Sequence, residues 1–322
     1  MNRREFLKLM TGAAGYFFLN GFFPRTTESA ELKNGYHIVL ISDLHLPWRS
    51  KNFPDSKKGK KIFLQKEKML QTIKKWGDVK EAALLGDFPA RYGNEEEFQS
   101  VDKFMAKLPV PGYIAIGNHD YAYRDKPGKN NKLKRGNHAE KTEKLNAFKE
   151  RYKMPSLYYG RTIGKYRLLY LAPDACGSLN VELSKNQLEW IQDEIAKNGQ
   201  NPMIFFCHAP LMGTLPQYNK KVNRPQTTAQ PEEPLRQILQ NAPKGSLWVS
   251  GHTHTPVTNP GFADDAVNRY NDNLINIHNP TLDTKRLCTN SLYLFDDRIV
   301  IKTYDHTKDM WLEELKREYK NK

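Results

Sequence analysis

The stretch YHIVLISDLH, residues 36–45, holds an apolar run of strand length that ends abruptly in Asp43 and His45. Short runs of β-branched and apolar residues bounded by turn signals are typical of buried strands. In a strand or an extended exit, residues two apart point the same way, so Asp43 and His45 can face one ion while Leu44 turns into the core. Alone, this motif is a weak signal, because Asp-x-His occurs often by chance.

Four more apolar runs end in the same manner. EAALLG ends at Asp87, GYIAIG at Asn118-His119-Asp120, PMIFFC at His208, and SLWVSG at His252-Thr253-His254. In open α/β sheets the ligand crevice lies beyond the carboxyl ends of the strands, so these five ends can converge in space. A glycine precedes the polar residues in three runs, at Gly86, Gly117 and Gly251, and lets the backbone turn sharply there.

The side chains at these ends indicate transition metals. Mixed imidazole and carboxylate ligands suit Zn, Fe, Mn or Co rather than Ca, and the absence of a thiolate set argues against a structural zinc site. One ion is satisfied by about four ligands, so a larger set indicates two ions that share a bridging carboxylate. Two ions about 3.5–4 Å apart clamp the attacking and leaving oxygens of a displacement at phosphorus.

Together, the motifs SDLH, GDFPAR, GNHD, CHAP and GHTH resemble those of the calcineurin-like metallophosphoesterase superfamily, in the same order, over residues 43–254. The stretch LYLFDDRIVIKTYDH, residues 292–306, is similar to the closing strands of such proteins. The resemblance implies an α/β fold, a four-layer α/β/β/α sandwich of two mixed β-sheets flanked by helices. It also implies a dinuclear metal centre at the strand ends.

Carried over by position, the resemblance implies roles for seven metal ligands, for His119 and for its neighbour Asp120. His119 would approach the scissile phosphate and stabilise or protonate the leaving oxygen, with Asp120 orienting its ring. A metal-activated hydroxide would hydrolyse a phosphate mono- or diester, and the two ions would be Mn, Fe or Zn. The first ion would be held by Asp43, His45 and His254, the second by Asn118, His208 and His252, and both by Asp87.

The chain departs from the family pattern after the bridging aspartate. Ala90 stands where many members carry Asn or Asp, and it excludes the tyrosine ligand of purple acid phosphatases. Arg91 falls where protein Ser/Thr phosphatases have a phosphate-binding arginine, which makes it a candidate for substrate binding. The alternative is an arginine of a surface loop beside Tyr92.

The net charge of +14 is concentrated in two stretches. Residues 49–80 hold eleven Lys and Arg against three acids, and residues 121–153 hold eleven against four. Both stretches follow strands that end in candidate ligands. They are either solvated faces or a basic rim that attracts an anionic phosphoester. In IFLQKEKMLQTIKKW, residues 62–76, the spacing of Phe63, Leu70, Ile73 and Trp76 predicts a helix with its lysines in solvent.

Residues 1–30 have the features of an export signal, and residues 31–322 are predicted to be one metallophosphoesterase domain. Arg3-Arg4-x-Phe6-Leu7-Lys8 and the apolar run at 11–23 resemble a twin-arginine signal. We expect the protein to be exported already folded by the twin-arginine machinery, to a periplasmic or other extracytoplasmic site. An ordinary basic N-terminus and an uncleaved N-terminal anchor are the alternatives, although the apolar run is short for a membrane span.

Other features leave alternatives open. Cys176, Cys207 and Cys288 follow no metal-binding spacing, and one disulfide between two of them is compatible with the sequence. A second Gly-Asn-His at residues 136–138 has no strand before it, so its residues are predicted to lie in a loop or helix cap.

Two other functions fit the same chain. A nuclease could use the basic stretches, but their few interleaved aromatic residues argue against a nucleic-acid partner. A non-catalytic metal-binding or scaffold protein on the same fold is the other alternative.

Overall fold

A computed structural model describes residue 32 and residues 34–320. The predicted signal segment, residues 1–30, lies outside the described residues. Within the described part of the chain, no helix combines the length and apolar character that crossing a bilayer requires.

The described residues contain twelve strands and seven α-helices, with 3-10 turns at Lys129–Asn131, Lys220–Val222 and Glu313–Leu315. The strands are β1 Tyr36–Ile41, β2 Val79–Leu84, β3 Gly112–Ile114, β4 Tyr159–Ile163, β5 Tyr166–Tyr170, β6 Met203–Phe206, β7 Ser246–Ser250, β8 Leu274–His278, β9 Cys288–Leu294, β10 Arg298–Asp305, β11 Met310–Trp311 and β12 Arg317–Lys320. The helices are α1 Ser56–Trp76, α2 Glu95–Met105, α3 Asn118–Tyr121, α4 His138–Arg151, α5 Lys185–Asn198, α6 Glu232–Leu239 and α7 Asp265–Asn268.

Both sheets are mixed. The first runs β11-β10-β9-β1-β2-β3, with β12 also paired to β10, and its strands β1, β2 and β3 are parallel. The second runs β4-β5-β6-β7-β8, and its strands β5 to β8 are parallel. The five predicted strand ends therefore belong to parallel strands of two sheets, three in the first and two in the second.

Side-chain alternation along β1 shows why the sheets stack. Ile38 and Leu40 face the core between the two sheets, where they meet Phe206 and Val249 of the second sheet. Val39 faces the opposite core, where helices α1, α2 and α4 cover the first sheet. Helices α5 and α6 cover the outer face of the second sheet in the same way. These layers confirm the predicted α/β/β/α sandwich.

Three local predictions are also confirmed. The helix α1 begins after Asp55, whose side chain accepts from the Lys57 N–H at 2.9 Å, and it buries Leu70 and Ile73. One lysine departs from the prediction, because Lys66 is buried and donates to the Leu44 carbonyl instead of lying in solvent. In the second Gly-Asn-His, Asn137 caps α4 and accepts from the Glu140 N–H. The closing segment forms the antiparallel pair β9 and β10. All three cysteines are free and buried, so none forms a disulfide.

Candidate metal centre

The strand ends of the two sheets meet at glycines that have no room for a side chain. A Cβ on Gly86 would collide with the backbone of Gly117, and a Cβ on Gly117 would collide with Asp87. Across the sandwich, a Cβ on Gly251 would collide with Ser42 and Asp43. These close approaches bring the ends of β1, β2, β3 and β7 together, because only glycine allows the backbones to come so near.

Five candidate ligands have a left-handed backbone, which L-residues adopt at a cost of about 1–3 kcal/mol. As predicted, Asp43 and His45 face the same side while Leu44 is buried. Because β1 ends at Ile41, a strained turn, and not an extended strand, directs their side chains to that side. Strain of this kind concentrates at functional sites. The φ values are 52° for Asp43, 45° for His45, 56° for Asp87, 67° for His252 and 52° for His254.

Asp43, His45 and His254 form one group whose ligand atoms all lie within 4.8 Å of one another. His254 Nε2 lies 3.1 Å from Asp43 Oδ1 and 3.2 Å from His45 Nε2. Ligand atoms about 2 Å from one tetrahedral ion are separated by about 3.3 Å. The spacing of this group therefore suits one ion.

Asp87, His208 and His252 form a second group within the same limit. His208 Nε2 lies 3.2 Å from Asp87 Oδ2 and 3.1 Å from His252 Nδ1. The same Asp87 oxygen lies 3.8 Å from His45 Nε2 of the first group. Asp87 is thus the carboxylate that reaches both groups.

Backbone carbonyls orient the imidazole rings. His208 Nδ1 lies 2.7 Å from the Leu85 carbonyl, and His45 Nδ1 lies 3.3 Å from the Pro89 carbonyl. His252 uses its Nε2 instead, 3.2 Å from the Gln226 carbonyl. A ring nitrogen that donates to a carbonyl turns the other nitrogen towards the site, which is the arrangement of metal-binding histidines.

Asn118 contributes a buried oxygen beside these groups. Its Oδ1 has no hydrogen-bond partner within the part of the chain that the structure describes. Its Nδ2 lies 3.3 Å from the Tyr123 hydroxyl, which directs the amide oxygen the other way. Buried oxygens without a partner are uncommon, so this one fits a ligand for a cation.

The electrostatics follow from burial and mutual proximity. Burial alone would raise the pKa of Asp87, but the charges of His208 and His119 hold that pKa well below its usual value. Burial likewise opposes ionisation of His208, yet the charge and hydrogen bond of Asp87 raise its pKa to about 9. Burial lowers the pKa of His252 to about 4. Asp87 is therefore anionic and His252 is a neutral lone-pair donor near neutral pH.

His119 lies beside the first group and makes two polar contacts through its ring. Nδ1 lies 2.8 Å from the Arg91 carbonyl, and Nε2 lies 3.1 Å from Arg49 Nη2. Burial is the main cause that lowers the pKa of His119 to about 4. The ring is thus neutral, with Nδ1–H donating to Arg91 and the Nε2 lone pair accepting from Arg49. The atoms of His119 also come within reach of His45 and Asp87.

The predicted role of Asp120 is wrong. Its carboxylate accepts from the backbone N–H groups of Asp87 at 3.0 Å, Phe88 at 2.9 Å and Gly117 at 2.7 Å. These bonds cap α3 and join the ends of β2 and β3. The Arg91 carbonyl, not Asp120, orients the ring of His119.

The structure also separates the two arginines near the site. The guanidinium of Arg91, the sequence-based candidate for substrate binding, lies over the Tyr92 ring at 5.2 Å, and its carbonyl is the part that faces His119. Substrate binding by the Arg91 side chain stays a prediction. Arg49 contacts His119 directly, but in the sequence nothing distinguishes it from the other cations of the first basic stretch.

The two basic stretches contain cations that bind other groups of the chain and cations that are exposed to solvent. In the second stretch, Lys144 donates to three backbone carbonyls at 2.7–3.0 Å, and Arg151 pairs with Asp102 and Glu95. In the first stretch, the start of α1 packs on the loop that follows the Asp43/His45 turn, since a Cβ on Gly59 would collide with the Trp48 ring. The exposed lysines of these turns are Lys57, Lys58, Lys60 and Lys61.

Comparison with known proteins gives a family. The family model of the calcineurin-like phosphoesterases matches residues 36–256, which include all the candidate ligands. No curated protein matches the sequence.

Two solved structures share the fold. A purple acid phosphatase, PPD1, from yellow lupin (Lupinus luteus) seeds superposes with a TM-score of 0.57 at 15% identity, over 89% of this chain and 54% of the lupin chain. PhoD superposes with a TM-score of 0.55 at 9% identity, over 92% of this chain and 71% of the PhoD chain. The chain thus spans about half the length of the lupin enzyme.

Proposed function

We propose that this chain, which belongs to the calcineurin-like phosphoesterase family, is a metal-dependent phosphoesterase. In this proposal it hydrolyses a phosphate mono- or diester at a centre of two metal ions. The observation that supports the two-ion centre is Asp87, whose Oδ2 lies between the group of Asp43, His45 and His254 and the group of His208 and His252. A carboxylate shared in this way is the usual device for holding two ions close together.

The donor set fits two divalent or trivalent ions such as Mn, Fe or Zn. Imidazole nitrogens directed inward by backbone carbonyls suit these metals, and the anionic Asp87 offsets their charge. The unpartnered Asn118 oxygen supplies a further ligand. In this proposal Asp43, His45 and His254 hold one ion, Asn118, His208 and His252 hold the other, and Asp87 holds both.

Two bound ions would lower the pKa of a water molecule to near neutrality and offset charge on phosphate oxygens. The chain's own contribution is His119. Because Nδ1–H donates to the Arg91 carbonyl, Nε2 is the atom that faces substrate. An anionic phosphate next to the ring favours its protonated form, so Nε2–H can stabilise the leaving oxygen or give it a proton.

Hydrolysis of p-nitrophenyl phosphate and of bis-p-nitrophenyl phosphate tests this proposal. The protein reconstituted with Mn²⁺ should release p-nitrophenol from at least one of the two, and chelation should abolish the reaction. The ratio of the two rates gives the preference for monoester or diester. If the metal-replete protein turns over neither compound, the chain is better described as a non-catalytic binding protein.

We also propose that residues 1–30 direct export of the folded protein by the twin-arginine route. The support is the Arg3-Arg4-x-Phe6-Leu7-Lys8 pattern and the apolar run after it. Replacing both arginines with lysine should retain the protein in the cytoplasm, whereas Arg25→Gln, a cation outside this pattern, should leave export intact. Unchanged export of the double-lysine variant would contradict this route.

A further inference from the structure

We infer that Arg49 binds the phosphate group of the substrate through its guanidinium, next to His119. The inference rests on the proposed function, since it names the group that recognises the phosphoester. Arg49 follows the Asp43/His45 turn by four residues, in the loop that leads to α1.

The backbone of Arg49 is fixed in a turn that directs its side chain to the centre. Its carbonyl accepts from the N–H groups of Asn52 and Phe53, both at 2.9 Å. The guanidinium Nη2 then lies 3.1 Å from His119 Nε2. Two groups that converge on one point, one cationic and one able to carry a proton, mark where an anionic oxygen would sit.

A buried carboxylate holds the guanidinium from behind. Asp283 Oδ2 lies 3.9 Å from Arg49 Nη1, and the Asn52 side chain donates to the same oxygen. The side chain of Asp283 is fully buried, whereas that of Arg49 is 22% exposed. The carboxylate, which also lies near the charge of buried Lys66, offsets the charge of the guanidinium, while part of the Arg49 side chain remains exposed to solvent.

The same anchor is joined to a candidate ligand. The Asp283 N–H donates to Thr281 Oγ1 at 3.0 Å, and the Thr281 hydroxyl donates to the Asp43 carbonyl at 3.3 Å. The loop after β8 thus fixes Arg49 relative to the turn that carries Asp43. Such a rigid connection keeps a phosphate-binding group at a fixed position relative to the reaction centre.

Phosphate is the ligand that suits this arrangement. A guanidinium offers five N–H donors in a planar fork that matches two phosphate oxygens, and it stays charged at every relevant pH. Neutral His119 accepts from one of these donors, and an incoming phosphate oxygen offers a charged acceptor instead. Arg49 is therefore a second arginine, besides the sequence-based candidate Arg91, that can bind the phosphate group of the substrate.

Equilibrium binding of inorganic phosphate to the Mn²⁺-loaded protein tests the inference, with calorimetry for affinity and elemental analysis for metal content. Arg49→Gln should weaken phosphate binding by about 10- to 100-fold, the loss expected for charge-assisted hydrogen bonds, with the metal content unchanged. Arg49→Lys should recover part of the affinity, because it restores charge without the fork. The control Lys51→Gln, an exposed cation of the same loop, should bind within about twofold of the wild type.

A dissociation constant for Arg49→Gln within about twofold of the wild type would overturn the inference. So would an Arg49→Lys variant as weak as Arg49→Gln, or an equal loss in Lys51→Gln. Phosphate binding is read independently of turnover. A protein that hydrolyses no ester but loses phosphate affinity in Arg49→Gln would refute the proposed function and support the role of Arg49.

Discussion

Asp120→Ala should destabilise the protein strongly, although Asp120 does not touch the ring of His119. Its buried carboxylate accepts three backbone N–H groups, from Asp87, Phe88 and Gly117, at 2.7–3.0 Å. Alanine would leave all three N–H groups buried without an acceptor. These donors lie directly at the strand ends that position the candidate ligands.

The magnitude follows from those three bonds. Each buried donor left without a partner costs about 1–3 kcal/mol, so Asp120→Ala should lower the free energy of unfolding by at least about 3 kcal/mol. Asp120→Asn should lose about half as much, because its amide oxygen still accepts while its NH₂ faces an N–H. Urea unfolding of the metal-free protein measures both losses, since bound metal would add its own contribution to stability.

The control is Asp193→Ala, which removes an exposed carboxylate 3.7 Å from Lys197 on α5 and should change stability by less than about 0.5 kcal/mol. A loss below about 1 kcal/mol in Asp120→Ala would refute the capping role. A fully stable variant with normal metal content and a large loss of kcat would instead restore the catalytic role expected from the sequence.

Three further predictions concern the ring of His119, the lysines of α1 and the pair of Asp87 and His208. His119→Gln should keep two ions per chain and lower kcat by about 10²- to 10⁴-fold, whereas loss of an ion on elemental analysis would make His119 a ligand. Exchanging four exposed lysines for Gln should raise KM for an anionic phosphoester at low ionic strength but not at high, and an equal KM at both would exclude the basic rim; the four are Lys57, Lys58, Lys60 and Lys61. Although burial opposes it, Asp87 raises the pKa of His208 from 6.5 to about 9, so the stability from this pair is fully present below pH 6.5 and is lost as the pH rises through 9. Between pH 6.5 and 9, the free energy of unfolding of the metal-free wild type, measured in urea, should therefore fall by about 3 kcal/mol relative to that of His208→Gln. If the free energies of the two proteins change in parallel with pH, the pairing is contradicted.

The strands and the candidate ligands could be predicted because their signals are local. In β1 the apolar residues of 38–41 supply two cores by simple alternation, and Asp43 and His45 follow directly where the strand ends. Parallel strands carry such ends to one edge, so the list of side chains at the site required no knowledge of long-range contacts.

The roles of Asp120 and Arg49 could not be predicted in this way. Asp120 accepts from Asp87 and Phe88, more than thirty residues away, only because β2 and β3 bring their ends together. Arg49 is distinguished from its neighbouring cations by Asp283, which follows it by more than two hundred residues. Contacts between residues so far apart along the chain produce no periodic pattern in the sequence. The left-handed turns at Asp43 and His45 were equally hidden, because non-glycine residues rarely adopt them.

In the proposed function, Asp87 joins two ions into one hydrolytic centre. Elemental analysis of metal-reconstituted wild type and of Asp87→Asn, measured beside phosphoester turnover, tests it most directly. Two ions per chain in the wild type, and loss of both ions together with turnover in Asp87→Asn, is the predicted result. A wild type that binds one ion, or an Asp87→Asn variant that keeps one ion firmly, would contradict a shared carboxylate.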